Sequence, residues 1–144
     1  MRNPSLAPLD VLVGDWSLTL TNAWFWESLE VQKQGHASGR WLGDAFVELE
    51  TELEGEPLWH LVFGCSDANA KLFALYHDPR PTSRLFTMNF GTGVWDMLRE
   101  DPDFHQRFFA TVTPDRIEGH WDASDDEGET WRKDFDIVFN RESS

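Results

Sequence analysis

The stretch that decides the fold runs from residue 13 to residue 26 and reads VGDWSLTLTNAWFW. Within it Trp16, Leu18 and Leu20 alternate with polar residues that include Ser17 and Thr19. Successive side chains of a β-strand point to opposite sides of the sheet, so one face of this segment collects the apolar groups. The pattern predicts a strand with one buried face and one solvated face.

Similar segments follow along the chain, separated by clusters of Gly, Pro, Asp, Asn and Ser that favour turns. The segments are short and leave no room for crossover helices, which is typical of an antiparallel meander. The sequence therefore predicts an all-β protein. We place its ten strands at residues 15–26, 31–41, 45–54, 57–65, 71–77, 84–90, 94–99, 104–113, 116–122 and 130–140.

An even number of antiparallel strands can close on itself, because the last strand then runs opposite to the first and pairs with it. Alternation in the final segment agrees, with Phe135, Ile137 and Phe139 on one face. Ahead of the first strand, residues 5–12 combine a Ser N-cap with leucines at i, i+3 spacing, which predicts a short helical plug. We predict one domain over residues 1–144, an antiparallel up-and-down β-barrel.

The charge of the chain argues against several classes of partner. Twelve basic and 26 acidic residues give a formal charge of −14, which repels phosphate backbones and anionic lipid surfaces. Neither nucleic acid nor a membrane is an expected partner. Cys65 is the single cysteine, and the N-terminal residues lack the apolar core of a secretory signal. The sequence therefore predicts a cytoplasmic protein.

Residues 14–16, Gly-Asp-Trp, open the first strand and resemble the Gly-x-Trp signature of lipocalins and the wider calycin superfamily. In that superfamily an Arg of the last strand packs over the signature Trp at the closed end of the barrel. Arg141 stands at the corresponding place in this sequence. The resemblance implies a lipocalin-like barrel with Gly14, Trp16 and Arg141 as its structural signature.

The chain is also similar to small bacterial lipocalin-like domains of unassigned function, which end in a Ser-x-Asp-x-Gly-x-Thr-Trp hairpin. The matching residues are Ser124, Asp126, Gly128, Thr130 and Trp131. More distantly the chain resembles the haem-binding nitrobindins, whose first strand continues with glycines that let haem approach. Leu18 and Leu20 hold those places here. No cofactor is therefore predicted, and haem binding is kept as an alternative.

The 124–131 motif matches the Asp-box hairpin of sialidase propellers, in which Ser and Asp side chains bond the backbone of a turn. One copy cannot form a propeller, so we interpret the motif as a turn device. The acidic residues around it lack the Gly that an EF-hand loop has at its sixth position. We therefore expect a solvated acidic turn without calcium.

In an up-and-down barrel, every strand has one of its ends at the end of the barrel away from the plug. The residues expected to face inward there are Asn22, Trp24, Thr51, Leu53, Trp59, Leu61, Trp121 and Trp131. Such an aromatic lining suits a small hydrophobic or aromatic molecule, held by stacking and fixed by one or two hydrogen bonds. Binding of such a molecule is the first functional hypothesis, and a solid core filled by these rings is the alternative.

The second hypothesis is a small barrel enzyme of isomerase, hydratase or cyclase type. Tyr76, His77 and Asp78 form a compact acid-base cluster, but neighbouring strand residues face opposite sides, and His77 is the better candidate for a general base. His60, His77 and His105 approach the open end. A metal needs convergent ligands, which alternation does not supply, so no metal is predicted.

The segments 57–65, 71–77 and 84–90 are apolar on both faces. A barrel wall open to water should alternate, so this wall implies a cover. We predict a homodimer through it. We expect Leu58, Val62, Phe73 or Phe86 among its anchors.

A row of glutamates occupies one face of the predicted third strand. Its members are Glu48, Glu50, Glu52 and Glu54. Carboxylates two residues apart on a strand stand about 7 Å from one another, too far to share one ion without another strand. We interpret the row as a solvated face.

Overall fold

The computed structural model describes residues 2–142, which form ten β-strands and one 3₁₀ helix. The helix spans Pro4–Leu12. The strands are β1 Gly14–Thr21, β2 Lys33–Leu42, β3 Phe46–Leu53, β4 Glu56–Cys65, β5 Leu72–Asp78, β6 Thr82–Gly91, β7 Val94–Glu100, β8 His105–Val112, β9 Arg116–Ser124 and β10 Arg132–Arg141. The all-β prediction and the number of strands are confirmed. Within the described residues, no helix combines the length and the apolar composition needed to cross a membrane.

Each strand pairs antiparallel with its neighbours in the chain, and β1 pairs with β10 to close the barrel. In that closing ladder Leu18 lies opposite Phe139, and Leu20 lies opposite Ile137. These pairs put the apolar faces of the first and last strands on the same, inner side. Because closure pairs both edges of the sheet, neither edge is left to recruit another chain.

The inner face of the barrel is packed with rings and aliphatic side chains. Alternate residues of β1 point inward, so Trp16, Leu18 and Leu20 are all buried. The buried rings include Trp16, Trp95, Trp121, Phe63, Phe86, Phe108 and Phe139. Edge-to-face contacts join them, as between Trp95 and Phe108, whose ring centroids lie 4.7 Å apart. Alternation along the sequence therefore selects the inner face correctly.

The N-terminal 3₁₀ helix covers one end of the barrel, which we call the closed end; the other is the open end. Leu6, Leu9 and Leu12 are fully buried in the core, because a 3₁₀ helix has three residues per turn and places i, i+3 positions on one side. The expected N-cap is wrong. Asn3 caps the helix, and its side-chain oxygen accepts a hydrogen bond from the Ser5 amide at 3.0 Å.

At the closed end the Arg141 guanidinium lies over the Trp16 ring, 4.1 Å from its centroid. Its nitrogens donate to the backbone carbonyls of Val11, Val13 and Pro114. These bonds tie the 3₁₀ helix, the start of β1 and the β8–β9 turn to the end of β10. The packing of Arg on Trp that the resemblance implies is present.

Gly14 makes this packing possible. Its φ is +124°, a conformation that L side chains rarely adopt, and a Cβ there would lie 2.6 Å from Nη1 of Arg141. The neighbouring Trp16 indole donates to the Leu12 carbonyl at 3.0 Å. The polar atoms of Trp16 and Arg141 are therefore satisfied by backbone carbonyls of the 3₁₀ helix, of the residue that follows it and of the β8–β9 turn.

The predicted strand 15–26 is too long, because β1 ends at Thr21. Asn22 has a φ of 57°, a left-handed conformation that turns the chain out of the sheet. Residues 22–32 therefore form a loop at the open end, which we call the rim loop. Two of its rings are exposed to solvent, Trp24 at 57% and Phe25 at 50%.

The outer face of β4, β5 and β6 is apolar in part. Leu75 and Leu85 lie opposite each other on neighbouring strands and point outward, with 39% and 62% of their surface exposed. Two expected dimer anchors, Val62 and Phe73, are half-buried on this face, and a third, Leu58, is half-buried near the open end of the barrel. The choice of Phe86 is wrong, because it alternates with Leu85 and is fully buried inside the barrel. The homodimer itself stays a prediction.

Candidate functional site

A cavity of about 810 Å³ lies at the open end of the barrel, bordered by the rim loop. Strands β4, β5, β6, β8 and β9 contribute to its wall through the ends that lie away from the 3₁₀ helix. Small-molecule sites usually have volumes of about 300–1,000 Å³, and this cavity falls within that range. Its lining includes a group of rings, several charged side chains and aliphatic residues between them.

Trp59 of β4 and Trp121 of β9 form the buried aromatic part of the cavity. Their ring centroids lie 6.1 Å apart, edge to face, and the residues are 5% and 1% exposed. Neither indole N–H has a hydrogen-bond acceptor among residues 2–142. A buried donor without an acceptor raises the free energy of the fold, and both indole nitrogens are themselves enclosed by the protein.

Trp95 shows that an unpartnered indole N–H also occurs outside the cavity. Its N–H is also buried without an acceptor in the described chain, yet Trp95 packs between Phe63 and Phe108 in the filled core and does not line the cavity. An unpartnered indole N–H therefore does not by itself indicate a ligand. Trp59 and Trp121 differ from Trp95 in that these two residues line the cavity.

Tyr76, Asp78 and Arg80 form the first polar group of the cavity. The Tyr76 hydroxyl donates to Asp78 at 2.8 Å, and Arg80 forms an ion pair with the same carboxylate. Burial, reinforced by this hydrogen bond, raises the pKa of Tyr76. Burial on its own raises the pKa of Asp78, but the hydrogen bonds from Arg80 and Tyr76 outweigh it and lower the pKa to about 2. At neutral pH this group is a neutral phenol beside a compensated ion pair.

A second ion pair, between Arg132 and Asp125, also borders the cavity. The Arg132 guanidinium lies 5.6 Å from the centre of the Trp24 ring, and the Trp24 indole donates to Asp134 at 2.9 Å. Burial raises the pKa of Asp134, and the hydrogen bond from Trp24 opposes that shift only in part. These contacts anchor the rim loop to the start of β10.

Arg84 of β6 is bonded differently from the other cavity arginines. Its guanidinium donates to Oε1 of Gln106 at 3.0 Å and lies over the rings of Tyr76 and Phe104, at 5.5 Å and 4.9 Å. Within residues 2–142, no carboxylate oxygen lies within 4.0 Å of it. Burial lowers the pKa of Arg84. Arg84 is thus a partly desolvated cation without an ion-pair partner in the described chain.

Four of the predicted ligand-binding residues line the cavity: Trp24, Leu53, Trp59 and Trp121. Trp59, Leu53 and Trp121 do so from strands, as alternation implies. Trp24 does so from the rim loop instead, because the chain has already left the sheet at Asn22.

Three other predicted residues lie elsewhere. Asn22 is exposed beyond the end of β1, where its side chain donates to Asp136 at 2.6 Å. Thr51 is buried, but its hydroxyl is bonded to the backbone of Trp59, accepting from the amide at 3.0 Å and donating to the carbonyl at 2.7 Å. Leu61 faces inward and is fully buried in the core, outside the cavity lining.

The remaining predicted residue, Trp131, lies in the β9–β10 hairpin and not in the cavity. Its indole donates to the Gly128 carbonyl at 3.1 Å, and the Arg107 guanidinium lies 4.0 Å from its ring centre. The Ser124 hydroxyl accepts from the Gly128 amide at 2.9 Å and donates to Asp126 at 2.7 Å. The motif acts as the expected turn device, and it directs Trp131 away from the lumen.

The prediction missed Arg84 and Gln106, although alternation contained the signal. Each precedes a buried Phe of its own strand by two positions, Phe86 in β6 and Phe108 in β8, so all four point inward. Polar residues at the end of a strand look like part of the neighbouring turn, so their inward position is hard to recognise from the sequence. Phe25 of the rim loop carried no such signal, because its place depends on a loop conformation.

His77 lies on the outer face of β5 and does not line the cavity, because the adjacent Tyr76 takes the inward position. Its Nε2 is 3.1 Å from Nδ1 of His60, and the two rings stack with centroids 5.0 Å apart. A groove of about 530 Å³ lies beside this pair and shares Trp59 and Asp78 with the lining of the cavity. The expectation of a pocket base at His77 is therefore corrected.

The interpretation of the glutamate row as a solvated face is wrong for Glu48. Its side chain is 5% exposed and pairs with Arg40 and with His60, whose Nε2 lies 2.8 Å from Oε2. Glu48, Glu50 and His60 place one ligand atom each within 4.8 Å of one another, an arrangement that could receive a metal ion. Arg40, however, pairs with both carboxylates and supplies their positive charge. The geometry is that of an ion-pair network.

The cavity residues do not fit haem. Haem iron is usually held by an axial His, Cys or Met, and none of these types lines the cavity in the described chain. Tyr76, a rarer ligand type, commits its hydroxyl to Asp78. Leu18 and Leu20 are buried where the nitrobindin resemblance would require glycine.

Comparison with solved structures agrees with the barrel. The chain is similar to Rv2717c from M. tuberculosis, whose crystal structure matches it with a TM-score of 0.67 over 99% of this chain and 100% of that one. The two sequences are 12% identical, a level at which the likeness shows the fold alone. No family model and no curated protein matches the chain. The lipocalin assignment therefore stays a resemblance.

Proposed function

We propose that this protein binds a small hydrophobic or aromatic molecule in the cavity at its open end. The observation that carries the proposal is a cavity of about 810 Å³ at the open end, whose wall includes the rings of Trp24, Trp59 and Trp121. A hydrophobic molecule there covers apolar cavity surface that water would otherwise contact, which favours binding by about 25 cal/mol per Å².

The rings around the cavity already form a network that an aromatic guest extends. Trp121 contacts Trp59, Tyr76 and Phe86 with ring centroids 6.1, 6.2 and 5.7 Å apart, all in edge-to-face orientation. This geometry is the one that aromatic pairs prefer, because the positive edge of one ring meets the negative face of the next. A planar guest therefore finds both ring faces and ring edges in the lining.

The rim loop supplies the entrance. Phe25 packs edge to face on Phe135 of β10, with centroids 6.0 Å apart, and contacts both Trp24 and Trp26. Trp24 and Phe25 are about half exposed, so apolar surface continues from the cavity to the outside of the molecule. Such a continuous surface favours the entry of a hydrophobic molecule from water.

The geometry favours binding over the isomerase, hydratase or cyclase alternative. That alternative assigned the proton transfer to His77 or Tyr76. His77 lies on the outer face, and the Tyr76 hydroxyl donates to Asp78 with a raised pKa, which makes it a poor proton donor at neutral pH.

The proposal is tested with N-phenyl-1-naphthylamine, a neutral probe whose fluorescence rises in apolar surroundings. We expect saturable binding with a dissociation constant on the order of 10 μM. Ala123→Phe adds a ring to the cavity lining and should abolish binding while the protein remains folded by circular dichroism. Native mass spectrometry of the freshly purified protein then identifies any ligand that remains bound.

Thr111→Phe is the matched control, because it adds the same ring to an exposed position of β8 that does not line the cavity. This variant should bind the probe as the wild type does. Absence of saturable binding in the wild type, or unchanged binding by Ala123→Phe, contradicts the proposed function.

A further inference from the structure

The charged side chains that line the cavity are unevenly paired. Arg80 forms an ion pair with Asp78, and Arg132 forms one with Asp125. Arg84 lines the same cavity, and among residues 2–142 no carboxylate oxygen comes within 4.0 Å of it. The cavity thus contains two compensated guanidinium groups and one that is not compensated.

Most hydrogen-bond donors of Arg84 have no acceptor among the described residues. A guanidinium carries five N–H groups in a planar fork, and only Nη1 donates within the described chain, to Oε1 of Gln106. The rings of Tyr76 and Phe104 flank the guanidinium. They restrict its plane by stacking but accept no conventional hydrogen bond. The guanidinium is therefore held in position, while its remaining N–H groups have no acceptor among the described residues and can bond a ligand.

The position of Arg84 on β6 directs it into the lumen. Phe86 and Met88 follow it at two-residue steps and are buried inside the barrel. Arg84 lies over the Tyr76 ring, which in turn contacts Trp121. A guest whose rings pack against Trp121 therefore brings a polar substituent within reach of Arg84.

A guanidinium that is partly removed from water is stabilised by a counter-ion. Burial lowers the pKa of Arg84, and the like charges of Arg99 and Arg80 add to that decrease against the opposing effects of Tyr76 and Asp78. A carboxylate from a ligand supplies the missing charge and, by its planar shape, two parallel hydrogen bonds to the fork.

From this arrangement we propose that Arg84 anchors the carboxylate of the cavity ligand, which is therefore an aromatic or amphipathic acid. The inference rests on the proposed function and names its ligand class. Asp134 is the competing anchor, for a cationic ligand. It already accepts from the Trp24 indole, and burial raises its pKa, which favours its neutral form.

The acidic surface of the protein acts against an anion only at long range. The formal charge is −14, but salt screens exposed charges beyond about 10 Å at 0.1 M ionic strength. At hydrogen-bond distance inside the cavity, Arg84 dominates the interaction with a carboxylate. We therefore expect selectivity for acids to persist at physiological salt.

The test uses two probes of the same shape, 2-naphthoate and its neutral isostere 2-naphthamide, each displacing N-phenyl-1-naphthylamine. The wild type should bind the acid about 10-fold to 100-fold more tightly than the amide, the range expected of hydrogen bonds between charged groups. Arg84→Gln should remove this preference and still bind the neutral fluorescent probe.

Two variants separate the anchor from a general loss of positive charge. Arg132→Gln removes a cavity arginine that already has Asp125 as its partner, and it should keep the preference for the acid. Arg84→Lys keeps the charge without the planar fork and should keep a reduced preference.

The outcomes distinguish this inference from the proposed function. Equal binding of acid and amide by the wild type, or an unchanged preference in Arg84→Gln, overturns the anchor while binding of the neutral probe stands. Tighter binding of 2-naphthylmethylamine than of the amide also overturns it and selects Asp134. Failure of the neutral probe to bind overturns the proposed function and the anchor with it.

Discussion

Arg141 and Arg84 occupy opposite ends of the same barrel and differ in how far the protein satisfies them. Each guanidinium lies over an aromatic ring, that of Trp16 at 4.1 Å and that of Tyr76 at 5.5 Å. Arg141 donates to three backbone carbonyls, whereas Arg84 donates to the single side-chain amide of Gln106. The same residue type therefore completes the structure at one end and leaves donors free at the other.

The tryptophan indoles at the two ends of the barrel differ in the same way. Trp16 at the closed end donates to the Leu12 carbonyl at 3.0 Å, while Trp59 and Trp121 at the open end have no acceptor among residues 2–142. The cause is the 3₁₀ helix, which brings backbone carbonyls and three buried leucines to one end only. The closed end therefore serves stability, and the proposed binding site lies at the open end, which the helix does not cover.

The largest expected effect is that of replacing Trp16 by Ala. The change removes a fully buried indole beneath Arg141, and such truncations cost about 3–5 kcal/mol of the free energy of unfolding. Urea denaturation measures it. Trp24→Ala, in the exposed rim loop, is the control and should cost less than about 1 kcal/mol. Equal losses in the two variants would contradict the assignment of stability to the closed end.

The two arginines provide the second test. Arg141→Gln loses charge-assisted bonds to three backbone carbonyls, and we expect a loss of about 2–3 kcal/mol. Arg84→Gln loses one bond to Gln106 but also removes an uncompensated, partly buried charge, so its stability should stay within about 0.5 kcal/mol of wild type. A large loss in Arg84→Gln would show that the open end is also built for stability.

The pH dependence of the free energy of unfolding tests the contribution of Asp78 at the open end. Burial alone raises the pKa of this carboxyl, but the hydrogen bonds from Arg80 and Tyr76 lower it to about 2, against an ordinary value of 3.8. A lowered carboxyl pKa stabilises the fold above the unfolded pKa, and this contribution is lost as the pH falls through the folded one. We therefore expect stability to fall between about pH 4 and pH 2.

Asp78→Asn should flatten the stability curve in that interval, as followed by thermal denaturation. Asp134→Asn is the matched variant with the opposite sign. Because burial raises the pKa of Asp134, its ionisation weakens the fold as the pH rises through that pKa, and its replacement should increase stability at neutral pH. The same response in both variants would contradict the two pKa directions.

The smallest expected effect on stability concerns the outer wall, which belongs to neither end. Leu85 is 62% exposed, so Leu85→Asp should change the free energy of unfolding by no more than about 0.5 kcal/mol. It should nevertheless dissociate the predicted homodimer, as measured by size-exclusion chromatography with light scattering. A wild-type protein that is monomeric at micromolar concentration contradicts the dimer.

Much of the fold was predictable because its signals are local. Alternation in β1 put Trp16, Leu18 and Leu20 inside, and turn-forming residues separated the ten strands. The end of β1 was not predictable in the same way. Asn22 and Trp24 continue the alternation beyond the sheet, and a change of one backbone angle, φ of 57° at Asn22, interrupts the strand without altering the pattern.

The candidate site was predictable in part. Trp59 and Trp121 were identified because each lies in the interior of a strand, where parity is reliable. Trp131 was misplaced because the bonds of its own hairpin, such as that from its indole to Gly128, override strand parity. Thr51 was misjudged because its hydroxyl bonds the backbone of the neighbouring strand, a contact that depends on register.

By itself, the sequence determined a closed antiparallel barrel with an aromatic interior, because a period of two residues and the turns between strands are properties of neighbours in the chain. Only the tertiary structure decided which polar groups inside that barrel find partners. Arg84, Trp59 and Trp121 come from three strands, and whether each one meets an acceptor depends on which strand ends converge. Pairing across strands is a property of distance in space, and for that reason the proposed site became visible only in the folded molecule.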